Sequence, residues 1–550
     1  MPEFKKVCFS FLVIVFAVIV VARVVTLGVL LSRFRPHNGT CSKAAVAADS
    51  GKCSEIGRDI LKMGGSAVDG AIAALLCTSV INPHSAGIGG GCMFTVMDSS
   101  GYVTIINARE TVPAGVNPDL LKSCPKIMEW EEDSRWIGVP GEIQGYAEAH
   151  RRYGKLPWDI LFEPTIRLAR EGFPIPYIQG QHIPRIANTS LRKLYSDENG
   201  NLLKIGDIVK FEKLADTLEM IAKQGPDVFY NGSIAEDLIR DIQQAGGTHT
   251  LQDLASYKVT VTDAWTVPLG EYQMYFPPPP SGGAILSLVL NIMKGFKMNS
   301  EPKTADEKTL FYHRYIEALK FANGLKKYIR DPKFNSDEKA KNITEDSFAG
   351  YIRSLITNET HDDEYYNLTP YVDSTGTTHV SVLAEDGSAV SVTSSINDIF
   401  GSKVFSPSTG IILNNQLSDF CVSPDSISPG EQPPSTTAPA VLKSQSITLV
   451  IGGSGSPMIT TGMATALMNH LWFGKSLKEA IDTPVVFVNS KNAVEFETNF
   501  EKDLIDALDA LGHNRQTADK FYNVVNAVEK DGSCISAWSD ERKKGKAAAY

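Results

Sequence analysis

Cysteine is scarce in this chain: eight in 550 residues, none of them in a Cys-x-x-Cys pair. That excludes a small disulfide-built scaffold, a zinc ribbon and a thioredoxin-like redox site. The ten histidines form no His-Glu-x-x-His, so a zincin helix is excluded too. Basic excess is missing: 53 Lys+Arg stand against 63 Asp+Glu, a net charge of −10, and no run of five like charges occurs. A nucleic-acid binder would show a basic face. The 44 glycines have no three-residue period, which excludes collagen. The triplet Gly89-Gly90-Gly91 is not followed by Lys-Ser/Thr, so it is no phosphate loop; close backbone packing is the better reading. No internal repeat and no long low-complexity linker is visible.

What is present is a folded chain. Hydrophobic residues make up 43% and charged residues 21%, enough for a sizeable core. Length alone suggests three or four domains, at about 150 residues each.

The N-terminus carries the longest apolar run. Residues 7–22 hold no charge, Arg23 interrupts, and 24–31 continue. A span needs about 20 residues, so 7–31 is long enough if Arg23 snorkels or faces another helix. The alternative is a signal peptide cut after Ala22. The apolar stretch continues past that point, so an uncleaved anchor is expected, with residues 1–6 as a cytoplasmic tail. Flanking charge does not orient it, because Lys5 and Lys6 precede the span and Arg33 and Arg35 follow. Six N-x-[ST] sequons do, at Asn38, Asn188, Asn231, Asn342, Asn358 and Asn367. They imply a single-pass type II protein of the plasma membrane with an extracellular ectodomain, and glycosylation at those positions.

Disulfides form in that compartment. Cys53 and Cys77 flank a two-helix pattern: one helix from Ser54 to Gly64-Gly65, a second opened by the capping box Ser66-x-x-Asp69. A bridge between them is sensible; two buried free thiols are the alternative. Further helices are predicted over 157–170, 212–223, 235–245 and 309–328. The proline string 277–280 reads as a rigid surface connector, with a wall beside a site as the other reading. Hairpins follow: 377–384 and 389–396 around Asp386-Gly387, and 525–528 with 534–538 around Asp531-Gly532. Helices with antiparallel hairpins make the class α+β with layered sheets.

Gly376-Thr377 stands at the seam between a polar, turn-rich loop and a strand. A cut before Thr377 would free an α-amine, of ordinary pKa about 8, within reach of its own hydroxyl. The hydroxyl can make that cut by attacking the Gly376 carbonyl, and a residue without Cβ eases the strained turn.

The surrounding motifs sharpen this. Ser374-Thr375-Gly376-Thr377-Thr378-His379, Ser394-Ser395-Ile396-Asn397, Phe400-Gly401-Ser402-Lys403-Val404, Asn414-Asn415-Gln416 and Asp419-Phe420 occur in order. So do Gly87-Ile88-Gly89-Gly90-Gly91, Asn107-Ala108-Arg109-Glu110, Val139-Pro140-Gly141-Glu142 and the closing Ser539-Asp540-x-Arg542-Lys543. From about residue 43 to 550 the chain resembles the gamma-glutamyltranspeptidase (glutathione hydrolase) family of N-terminal-nucleophile enzymes. Segments 109–114, 136–142 and 277–287 look like its leukotriene-C4-hydrolysing vertebrate branch.

The resemblance implies one four-layer αββα fold behind the transmembrane helix. It would be cut between Gly376 and Thr377 into a large subunit, 32–376, and a small catalytic one, 377–550, held as a heterodimer. Thr377 would be nucleophile as well as autocleavage residue, supported by Ser395. The backbone of Gly455 and Ser456 would form the oxyanion hole. Arg109, with Ser435 and Thr436, would hold the α-carboxylate of the γ-glutamyl group, and Asp419, with Asn397 and Gln416, its α-ammonium. Donors would be glutathione, its conjugates and leukotriene C4; acceptors would be water, amino acids or dipeptides. No metal or organic cofactor is implied. Ser456 stands where the family usually has a second glycine, and Gln416 where many animal members have glutamate. The free amine, not Asp373 or His379, would serve as base.

Overall fold

The computed structural model describes residues 41–125, 130–298, 300–369, 373, 376–517 and 524–550. The anchor expected at 7–31, the tail before it and the sequon at Asn38 lie outside them. No helix among the described residues is long and apolar enough to cross a membrane.

Thirteen strands build two sheets: β1 (Ala45–Ala48), β2 (Gly91–Met97), β3 (Val103–Ala108), β4 (Thr260–Asp263), β5 (Trp265–Leu269), β6 (Tyr272–Phe276), β7 (Thr378–Leu383), β8 (Ala389–Ser395), β9 (Ala440–Lys443), β10 (Ile447–Ser454), β11 (Val524–Asp531), β12 (Cys534–Ser539) and β13 (Ala548–Ala549). The first sheet runs β13-β1-β7-β8-β2-β3-β4 and the second β12-β11-β10-β9-β6-β5. Every pair of neighbouring strands in them is antiparallel.

The sheets face each other across a thin apolar layer that includes Ala45, Met97, Leu383, Val441, Val450 and Val528. Polar bonds also cross it. Ser381 Oγ donates to the Asn526 carbonyl (3.0 Å) and Ser391 Oγ to that of Ile451 (2.9 Å). Because side chains alternate along a strand, the neighbouring residues Val380, Val382, Val390 and Val392 point the other way, into a helical layer. That layer contains α1 (Gly51–Lys62), α2 (Ala67–Ile81), α3 (Glu142–Tyr153) and α4 (Trp158–Glu171). On the far side of the second sheet lie α5 (Gly283–Lys294), α6 (Ala305–Leu325) and α7 (Met458–Leu467). Four layers, αββα, are therefore present, and Ser42–Tyr550 is one unit rather than three or four domains.

Local chemistry explains the first helices. The Ser66–Asp69 capping box is formed, with Ser66 Oγ accepting from the Asp69 N–H at 3.0 Å and Asp69 from that of Ser66 at 2.8 Å. α2 is apolar nearly all round and buried along its whole length, as a central helix must be. Cys53 and Cys77 are disulfide-bonded, pinning the start of α1 to the end of its antiparallel neighbour. A second bond, Cys124–Cys421, was not anticipated; its partners are 297 residues apart.

The proline string is corrected by the fold. Pro277, Pro279 and Pro280 are buried, Pro280 accepts from the Ser435 N–H, and Gly282 donates to Thr437. It is an inner wall, because the Pro280 carbonyl and the Gly282 N–H hydrogen-bond to the backbone of Ser435 and Thr437, partners that a surface connector would lack.

Candidate active site

Register brings the central pair together. Thr378 pairs with Ser394 across β7 and β8, so the residues just outside, Thr377 and Ser395, are also opposite. Their hydroxyl oxygens are 3.0 Å apart and buried. Ser395 Oγ also accepts from the Asn397 N–H at 2.9 Å, leaving its own proton free for Thr377. Thr377 has φ +83°, a left-handed backbone that a β-branched residue adopts only under constraint. Its N–H donates to Ser85 at 3.1 Å.

The second sheet supplies the opposing group. Gly455 and Ser456 follow β10 where it turns into α7, and the Gly455 N–H donates to the Gly376 carbonyl at 3.2 Å. Ser456 has φ +50°. The position therefore does demand the left-handed region that glycine occupies freely. Thr436 Oγ1 donates to the Ser456 carbonyl at 2.9 Å, bracing this turn, while Ser435 Oγ and Thr437 Oγ1 are 3.0 Å apart.

Arg109 follows directly on β3 and is buried. Its Nη2 donates to Asp419 Oδ2 at 2.6 Å and to the Pro434 carbonyl at 2.8 Å, and its Nε to that of Pro433 at 3.2 Å. Burial pushes the Asp419 carboxyl upward, opposed by the Arg109 guanidinium. Gln416 Nε2 donates to the same Asp419 oxygen at 3.1 Å, and Gln416 Oε1 is buried with no hydrogen-bond partner. An acceptor thus stands unused beside the carboxylate. Asn397 Nδ2 donates to Ser418 Oγ at 2.9 Å. One cleft is lined by Thr377, Ser395, Asn397, Gln416, Asp419, Arg109, Ser435, Thr436 and Ser456. Every residue expected to act in catalysis or donor binding, apart from Gly376 and Gly455, contributes to its lining.

Some residues were missed. Lys543 Nζ donates to the Thr377 carbonyl at 2.6 Å and to Ser454 Oγ at 2.9 Å, and pairs with Asp49 at 3.3 Å. The closing motif pointed to it without a role. His379 is turned away: its ring bonds Thr393 and Ser381, and burial lowers its pKa to about 3. Asp373 accepts from the Ser490 N–H instead of facing Thr377.

Two carboxyls lie buried behind the site. Glu110, 3.7 Å from Arg109 Nη1, is raised by burial to about 7, opposed by that guanidinium. Glu142, which accepts from Tyr146 OH at 2.5 Å, is raised by burial from 4.5 to about 8. A raised acid favours its protonated folded form, so its stabilisation is complete below pH 4.5 and is lost as pH rises towards 8. Glu142→Gln is expected to flatten this part of the curve: the Tm difference between pH 5 and pH 8, measured by calorimetry, is smaller than in the parent protein.

Layered sheets, a threonine opening a central strand and a backbone donor from the facing sheet define the class: an N-terminal-nucleophile hydrolase fold. A match to the gamma-glutamyltranspeptidase family covers residues 53–550, and the chain belongs to that family; it is an enzyme of the γ-glutamyltransferase/hydrolase kind. It is 44% identical to the glutathione hydrolase 5 proenzyme of Mus musculus, over 95% of this chain and 96% of that one. For the Homo sapiens protein of the same name the identity is 43%, with 96% of each covered. Among solved structures, cephalosporin acylase from Bacillus halodurans superposes with a TM-score of 0.82 at 26% identity, covering 94% of this chain and 98% of that one.

Proposed function

We propose that the chain is made as a precursor that cuts itself between Gly376 and Thr377. It then transfers γ-glutamyl groups from glutathione and its conjugates, leukotriene C4 among them, to water, amino acids or dipeptides. The observation that carries this reading is the Gly455 N–H on the Gly376 carbonyl, with the Thr377 hydroxyl on the very next residue. Thr377 Oγ1 attacks that carbonyl, the developing oxyanion meets the Gly455 donor, and the amide nitrogen leaves as the new α-amine. Water then opens the ester. In turnover the α-amine takes the hydroxyl proton and Oγ1 attacks the γ-carbonyl; the γ-amide bond breaks, and the donor's nitrogen leaves as an amine with that proton. Water or an acceptor amine then attacks the γ-glutamyl ester, and Thr377 recovers its hydroxyl. Arg109 pairs the donor's α-carboxylate; Asp419 and the unused Gln416 oxygen take its ammonium. The names of the glutathione hydrolase relatives support glutathione as donor. The apolar cleft residues Trp136, Ile285, Ile329 and Val422 suit a conjugate's hydrocarbon arm.

The enzyme is further proposed to be anchored through 7–31 with an extracellular body. In support, Asn188, Asn231, Asn342, Asn358 and Asn367 are all exposed, and the disulfides suit an oxidising compartment.

Mass spectrometry of the purified ectodomain, with a γ-glutamyl-anilide assay, tests the function. The expected result is a small chain beginning at Thr377 and measurable turnover; an intact 376–377 bond in an active protein overturns it. Gly376→Ala is expected to slow processing about tenfold or more, by way of 1–3 kcal/mol of strain. A Cβ there would lie 1.8 Å from the Asn397 carbonyl oxygen. The ratio of precursor to product bands against time measures it.

Ser456 favours a second reading: a catalytically weak member serving as a binding or structural ectodomain. Its left-handed backbone strains the oxyanion turn. Processing without turnover would mark that case. If the turn limits the rate, Ser456→Gly raises kcat several-fold with KM little changed.

A further inference from the structure

The Cys124–Cys421 disulfide stands at the edge of the cleft. Cys421 belongs to the 3-10 turn Gln416–Val422, which also carries Gln416 and Asp419, and it lines the cleft. Cys124 follows the 3-10 turn Leu120–Ser123, and its neighbour Pro125 lines the cleft as well. Beneath the bond lies a small apolar cluster of Val112, Leu120, Leu121, Trp136, Leu417 and Phe420, separate from the three larger cores. The turn bearing the ammonium-binding carboxylate is thus held by this cluster and, at its far end, by one covalent bond. Both sulfur-bearing residues are half-buried, whereas Cys53 and Cys77 are fully buried. A half-exposed disulfide is open to thiolate attack; a sealed one is not. The bond also joins a residue before position 376 to one after 377.

We propose that Cys124–Cys421 is a thiol-exchangeable tether. It keeps the two halves of the processed enzyme covalently joined and holds the Gln416–Asp419 turn in its donor-binding position. Low-molecular-weight thiols, which the reaction's own donors and products include, open it and weaken donor binding. This rests on cleavage at 376/377 and on γ-glutamyl donors. The step balances: a thiolate attacks Cys421 Sγ, the S–S bond breaks, and Cys124 leaves as thiolate and takes up a proton. A second thiol then releases Cys421 and carries away the small disulfide, so two thiols are oxidised as one protein disulfide is reduced.

Cys534 is also disulfide-bonded, so the gel test uses Cys534→Ser. Reduced, the processed protein is expected to run as two bands; unreduced, as one. Two bands under both conditions overturn the tether alone. One band under both overturns the cleavage reading and with it the joining of two chains. Should Cys534→Ser not fold, a non-reducing peptide map of the unsubstituted protein decides whether Cys124 and Cys421 are joined.

The second arm titrates the unsubstituted enzyme with 2-mercaptoethanol, a thiol that is not a γ-glutamyl donor. Donor KM and kcat are followed with a γ-glutamyl-anilide, and alkylation of each cysteine by mass spectrometry. As Cys124 and Cys421 become alkylated, KM is expected to rise about five- to tenfold with kcat within about twofold, the pattern of lost ground-state binding. Cys124→Ser shows the raised KM with no thiol response. A constant KM while both cysteines are alkylated overturns the coupling.

Discussion

Thr377→Ala is expected to give one full-length band on a reducing gel and no γ-glutamyl turnover, while Thr377→Ser still processes and turns over slowly. Cleavage and catalysis use the same oxygen, and the base used in turnover is the amine that cleavage itself creates. Among the described residues no imidazole faces that oxygen: His379 bonds Thr393 and Ser381. Ser395 sits 3.0 Å away but has no free α-amine of its own. Removing the Thr377 hydroxyl thus leaves the Gly455 donor aimed at a carbonyl that nothing attacks. Precursor folding should be unaffected, because the hydroxyl bonds only Ser395 among the described residues; circular dichroism and Tm check this. A Thr377→Ala protein that still split at this bond and turned over donor would defeat the mechanism.

Arg109→Lys is expected to lower kcat/KM for γ-glutamyl donors about 10- to 100-fold, mainly through KM, corresponding to the 1.5–3 kcal/mol of a hydrogen bond to a charged group. Lysine keeps the charge but loses the planar fork. Arg109 uses that fork on three partners at once: Asp419 and the carbonyls of Pro433 and Pro434. An ammonium cannot hold all three and a substrate carboxylate. The control is a donor anilide lacking the α-carboxylate. It should be poor with both enzymes and nearly indifferent to the substitution, as expected when both changes remove the same contact. Equal losses with both donors would show that Arg109 acts by holding Asp419 rather than by binding the donor. Arg109→Ala is the less informative variant, since it also takes the cation from the half-buried Asp419 and so mixes a loss of stability with the loss of donor binding.

Departures between sequence reading and structure were long-range. The capping box at Ser66 and Asp69, the Asp386-Gly387 turn and the hairpin through Thr377 are encoded within a few residues, and each formed as expected. The proline string looked like a connector because composition reports stiffness but not burial; its partners, Ser435 and Thr437, lie about 155 residues away. Lys543 escaped a role for the same reason: Thr377, which it touches, is 166 positions earlier. Cys124 and Cys421 gave no pairing clue, because nothing in a separation of 297 residues distinguishes a bond from two thiols.

The residues for an α-amino-acid head group were implied by the family resemblance; along the chain alone one could read the α+β class and the seam at Gly376-Thr377. Those depend on side-chain chemistry, turn preference and alternation, all local properties. The facing of the two sheets was decided only in three dimensions. It sets Gly455, just past β10, against Gly376, just before β7, while the separate apolar cluster around Leu417 and Phe420 seats the turn on which Asp419 pairs with Arg109 and the Gln416 oxygen stands unused. These contacts come from long-range apolar packing, and the residues that meet there have no local mark of one another. The left-handed backbone at Thr377 and Ser456 belongs with them, since it is the surrounding packing that holds a β-branched residue and a serine where glycine would rest more easily.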